Sequence, residues 1–185
     1  MKPALALVAL ALVTVLAAGW WGPKPAAPSP NGDQLGQDSG ESFAAYVERA
    51  DSTLGQADDD RQAWALVTFA TPLGPEDAAT ATAGLGRVSA VVISGWLLQE
   101  VPEPVPGSSR AEVFARQAAG GPLEEGISGV VAFATGRQLR QCAKGTPVAA
   151  VEVLPADAVW GRFGVRPVYP GQVGVQPDEL FTFLS

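Results

Sequence analysis

The stretch LVTFAT at residues 66–71 returns about sixty residues later as VVAFAT at residues 130–135, and this near-copy decides the fold. Both copies are rich in the β-branched and aromatic residues that suit a strand. The segments after the two copies are also alike. After the first, residues 71–74 turn, Pro75 suits a first helical position, and Glu76 and Asp77 suit the positive end of a helix dipole. That helix runs to Gly84, and Gly86 releases the chain into RVSAVVIS at residues 87–94. After the second copy, a shorter helix over residues 137–144 leads into VAAVEV at 148–153, which matches VSAVVI at 88–93. Matched elements in the same order form a repeat, and a repeat governs a fold more firmly than any single propensity.

Two strand–helix–strand units in series predict an α+β domain of the ferredoxin-like βαβ-βαβ kind, a four-stranded antiparallel sheet with its helices on one face. An amphipathic helix precedes it from Glu41, with Phe43, Tyr46, Val47, Ala50 and Leu54 on one side and Ser39 or Ser42 as cap. It stops before the acidic turn Asp58, Asp59, Asp60. Between the halves, residues 95–126 hold a Pro-rich run at 101–106 and a short helix over 109–119 that buries Phe114 and Ala118. Beyond Pro155 comes an aromatic tail with Trp160, Phe163, Tyr169, Phe181 and Phe183, in which Pro167 and Pro170 suit an edge or a strap. The domain is expected over residues 41–170, with 171–185 as a C-terminal tail.

Residues 4–18 are apolar except for Thr14, and Gly19, Trp20 and Trp21 extend the run to about the length that crosses a bilayer. Lys2 and Lys24 flank it, and the Trp pair falls where indole rings favour the membrane–water interface. Residues 1–22 are therefore expected to be a transmembrane helix contacting the membrane through residues 3–21. The alternative is a cleaved signal peptide, since residues 15–17 (VLA) fit a small-residue cleavage rule. The Trp pair would then be an odd start for a soluble chain. Either reading exports the domain: single-pass with a cytoplasmic N-terminus, or secreted. Residues 23–40, with Pro23, Pro25, Pro28 and Pro30, read as a disordered linker.

The chain carries a net charge of −7, and from Gly40 onward ten Lys or Arg stand against seventeen Asp or Glu. Phosphate backbones and anionic headgroups reward clustered basic residues, so nucleic-acid binding and adhesion of the domain to the membrane surface are disfavoured. Histidine is absent, which removes imidazole-based triads and histidine-ligated metal sites. The domain's single lysine, Lys144, reads as a solvated charge at a helix end rather than a desolvated base. Acylphosphatases share the expected fold but need an asparagine to position water, and the domain has none.

Other candidates reduce to structural readings. Asp58, Asp59 and Asp60 are consecutive and cannot all face one calcium ion. Gly84 and Gly86 are too few for a phosphate loop, and no lysine comes after them. Glu76 with Asp77, and Glu124 with Glu125, are adjacent on the chain and point apart on a helix. Cys142 is alone, so it forms no internal disulfide, and its three-residue spacing from Leu139 puts it on a buried helical face. No catalytic, cofactor-binding or metal-binding residue is expected, nor any cofactor, and an enzyme is not the expected class.

The run ALVTFATPLGPEDA at residues 65–78, the later VEVLPADAVWGRFGVRPVYP at 151–170 and the short N-terminal anchor resemble an uncharacterised family of membrane-anchored proteins from high-GC Gram-positive bacteria. The resemblance spans residues 64–170 and implies the same domain boundaries, with no site residue to carry over.

The expectation for function is an extracytoplasmic protein-interaction module with an envelope protein as partner. Trp160, Phe163 and Tyr169 are its candidate partner-binding residues, on the strength of their aromatic, irregular setting. Two alternatives stay open: a small-molecule sensor using the open face of the sheet or a homodimer interface, and a peptidase-propeptide-like inhibitor acting through residues 175–185.

Overall fold

A computed structural model describes residues 32–93, 97–118 and 126–174. The expected membrane segment, most of the linker, residues 119–125 and the tail from residue 175 lie outside the described residues. No helix among the described residues is long and apolar enough to cross a membrane.

The domain is α+β. Its strands are β1 (Gln34–Leu35), β2 (Gln62–Leu73), β3 (Arg87–Ile93), β4 (Leu97–Glu100), β5 (Ile127–Thr135), β6 (Val148–Val153) and β7 (Gly164–Val165). Its described helices are α1 (Phe43–Gln56), α2 (Pro75–Ala81), α3 (Arg110–Ala118) and α4 (Gly136–Ala143). Five strands form an antiparallel sheet in the order β4-β3-β5-β2-β6, while β1 and β7 form a separate parallel ribbon. The two copies of the repeat become the central pair: Trp64 lies opposite Phe133, Ala65 opposite Ala132 and Leu66 opposite Val131. The sheet has one more strand than the repeat predicts, because β4 folds back on β3 with Val91 opposite Gln99.

Local chemistry explains the helix boundaries. Ser42 caps α1, its Oγ accepting from the Ala45 N–H at 3.2 Å. Pro75 opens α2, with Glu76 and Asp77 in the first turn. At α4, Thr135 and Gln138 form a reciprocal capping box: Gln138 N–H donates to Thr135 Oγ1, and Thr135 N–H donates to Gln138 Oε1 at 3.0 Å.

Strand alternation sorts the core into two layers. On one face Ala65, Val67, Val91, Val130 and Val151 pack under α2, α3 and α4, whose Ala78, Val113, Phe114, Leu139 and Cys142 are buried. On the other, Trp64, Leu66, Val92, Val131 and Ala150 pack against Tyr46 and Ala50 of α1, Leu35 of β1 and Val168 of the chain after β7. Fully burying a large apolar side chain is worth about 1.5–3 kcal/mol, so Tyr46 and Leu54 between them hold α1 firmly in place. Both faces are therefore covered, and the open face that one ligand-binding alternative needs is occupied by α1 and the strap of residues 154–174.

The linker also ends earlier than Gly40. Leu35 is fully buried and Gln37 is 2% exposed, so residues 32–40 belong to the domain. The sequence hid this because a two-residue strand has no periodicity to read. Gly36 turns the chain there at φ +100°, and a Cβ on it would lie 2.3 Å from the Arg166 carbonyl oxygen.

Candidate interaction surfaces

Polar side chains gather around Arg49. Glu152 enters this cluster because its register opposite Leu66 turns it to the α1 side of the sheet. Its carboxylate accepts from the Gly36 N–H at 2.6 Å and from Arg49 Nη1. Arg49 also donates to both oxygens of Glu41, at 2.9 and 2.8 Å, and to the Gly36 carbonyl at 2.9 Å, while its guanidinium sits 5.4 Å from the Tyr46 ring centre. Burial is the larger influence on Glu152 and pushes its carboxyl above the usual range, against the pull of the Gly36 N–H and Arg49. The Arg49 hydrogen bond holds Glu41 below that range. With a side chain only 4% exposed and both oxygens engaged, Glu152 has no room to meet a substrate. The arrangement clasps the N-terminal arm, α1 and β6 together. Gln37 extends the clasp, donating to the Glu41 and Gln172 carbonyls and accepting from the Tyr169 N–H at 3.1 Å.

Sequence reasoning missed this cluster. One signal existed: Glu152 is the only charged residue in VAAVEV, and a lone carboxylate in an apolar strand needs a buried cation.

The three candidate aromatics separate. Trp160 and Phe163 both stack on Trp64, with ring centres at 4.7 and 5.8 Å, and Trp64 in turn lies 4.8 Å from Phe133. Both residues are half-buried. Tyr169 joins no ring of that cluster among the described residues. Its half-buried ring ends in a hydroxyl without a hydrogen-bond partner among the described residues, and burial raises its pKa.

Other sequence candidates find structural partners. The three consecutive aspartates diverge: Asp59 pairs with Arg140, Asp60 with Arg137 at 2.9 Å, and Asp58 accepts from the N–H groups of Asp60 and Arg61. Arg140 further caps α1 through the Leu54 and Ala57 carbonyls, at 2.7 and 3.0 Å. The Cys142 thiol lies 3.5 Å from the Ala81 carbonyl, and burial pushes its pKa up to about 11.

The two edges of the sheet differ. Along β6, α1 lies beside the strand and Thr53 Oγ1 accepts the Val153 N–H at 2.9 Å. Along β4, the Val101 N–H bonds the Ser89 carbonyl at 2.9 Å, which sets the phase of the ladder. Bonds to β3 fall on Leu97, Gln99 and Val101, so Leu98 and Glu100 turn their peptide groups outward. Gln117 reaches the Glu100 carbonyl at 2.6 Å on that outer side, and no described residue pairs with Leu98, whose side chain is 40% exposed.

No protein-family model matches this chain, and no curated protein or solved structure is significantly similar to it.

Proposed function

We propose that this chain is a single-pass envelope protein, anchored through residues 3–21 with its N-terminus cytoplasmic, whose extracytoplasmic domain is a protein-interaction module. The domain reads as ferredoxin-like. Two facts support that: β3-β5-β2-β6 is the order that two linked strand–helix–strand units give, and α2 and α4 share one face. β4 is then an edge strand added to the second strand of the first unit.

The observation that carries the interaction reading is the inequality of the edges. One edge is closed by Thr53 and α1. The other presents the peptide groups of Leu98 beside a 40% exposed apolar side chain. An unpaired strand edge accepts an extended segment from a partner through main-chain hydrogen bonds, with side-chain pockets adding selectivity. Trp160 and Phe163 are half-buried against Trp64 at another part of the surface.

Crosslinking a C-terminally tagged chain in intact cells of its own host, then purifying it from solubilised membranes, tests the proposal. One dominant envelope protein should co-purify. Recovery of the chain alone, or crosslinked only to itself, would sink it.

A further inference from the structure

We propose that the turn spanning residues 159–163 rests on the lipid–water interface of the bilayer in which the chain is anchored. The inference rests on the anchored reading of residues 3–21. It starts from the parallel pairing of β1 with β7, Gln34 opposite Gly164, closed by a 3.0 Å bond from the Gly164 N–H to the Asp33 carbonyl. In a parallel pair, the segments that precede the two strands leave from the same end. The segment preceding β1 leads to the anchor, and the segment preceding β7 is the turn at 159–163. The anchor therefore pulls on the domain at the end where that turn sits.

The tether is short. Ten residues, 22–31, separate the Trp pair from the first described residue. Fully extended they reach roughly 33 Å, and as a flexible chain they average about 17 Å. A tether of that length gives the turn an effective concentration at the surface in about the millimolar range, so a weak contact is enough to orient the domain.

The turn has interfacial chemistry. Val159 is 52% exposed, and the half-buried Trp160 and Phe163 flank the exposed Arg162. An apolar tip with an indole and a guanidinium beside it suits the boundary between headgroups and acyl chains. Asp59 and Asp60 at this end are paired with Arg140 and Arg137, while Asp157 is exposed beside the turn. The contact is apolar and serves neutral lipid.

The consequence is an orientation. The start of β2, the end of β5 and the end of β6 face the membrane with the turn. The other end of the sheet, where β2 finishes at Leu73, faces away.

The test uses the full chain reconstituted at low density in phosphatidylcholine vesicles, on a Cys142→Ala background. An environment-sensitive fluorophore is attached at Val159→Cys, or at Thr71→Cys as the exposed position on the far end. The expected result is a several-fold brighter, blue-shifted signal at position 159, quenched by headgroup-level nitroxide lipid, and a water-like signal at position 71. Vesicles that float with the chain while both labels report water overturn the surface contact and leave the anchor standing. A chain that fails to float with the vesicles overturns the anchored reading and this proposal with it.

Discussion

Thr53 accepts a hydrogen bond from the Val153 backbone N–H at 2.9 Å, and by this bond a helix closes the outer side of a sheet edge. The Val153 residue is 7% exposed, so its amide has little access to water as a substitute partner. Thr53→Val keeps the shape and removes the acceptor. Leaving a buried amide unsatisfied costs about 1–3 kcal/mol, and the urea midpoint should fall accordingly. An unchanged midpoint would mean that α1 does not seal β6 in solution.

The Arg49 clasp makes a larger demand. Glu152→Ala strips the Gly36 N–H and part of the Arg49 guanidinium of a buried partner. The unsatisfied Gly36 amide costs about 1–3 kcal/mol, and the lost partner of Arg49, whose side chain is 34% exposed and still paired with Glu41, adds a little more. Glu152→Gln retains an acceptor for Gly36 and should lose clearly less. Equal losses for the two variants, read from chemical denaturation, would contradict the hydrogen-bonding role of that carboxylate.

Trp64 carries the aromatic cluster, because Phe133, Trp160 and Phe163 all lie against it. Removing a buried tryptophan costs about 3–5 kcal/mol, and Trp64→Ala should lose in that range. Trp160→Ala, at a half-buried position, should lose less. If Trp160→Ala costs as much as Trp64→Ala in thermal unfolding, the exposed part of that ring is buried in solution by something else.

Alkaline pH should unfold the domain early. Burial moves the Cys142 thiol from 9.0 up to about 11, and the Tyr46 hydroxyl shifts upward as well, with desolvation the leading cause in both. A group whose folded pKa is raised contributes stability that is complete below its unfolded pKa and is lost as pH climbs through the folded one. The Cys142 contribution should therefore be intact below pH 9.0 and decline between there and about 11. Cys142→Ala should flatten that decline. A urea midpoint with the same slope in both proteins would show that the thiol is not buried as described.

The repeat made the centre of the fold legible. LVTFAT and VVAFAT pair with each other, VAAVEV is β6 over the same residues the pattern marks, and the short helix between them spans Gly136–Ala143 against the expected 137–144. β4 escaped because LLQE has no alternation and runs into a Pro-rich segment, which reads as a loop. The β1–β7 ribbon escaped because two-residue strands are specified by tertiary contact, here the approach of Gly36 to Arg166, rather than by local pattern. The site fared less well. Aromatic richness drew attention to Trp160, Phe163 and Tyr169, two of which stack on Trp64. An edge that no described residue pairs at Leu98 depends on how the whole sheet is ordered, which no local window contains.

The most direct measurement places a photo-crosslinking amino acid at Leu98, and separately at Val105 as an exposed apolar position off the strand, in the full chain within living host cells. One discrete envelope-protein adduct should form at position 98. That adduct should disappear when Glu100→Pro removes the neighbouring outward N–H, with thermal stability of that variant kept close to the parent. Equal, diffuse adducts at both positions, or capture at position 98 that survives Glu100→Pro, would contradict recognition at the β4 edge.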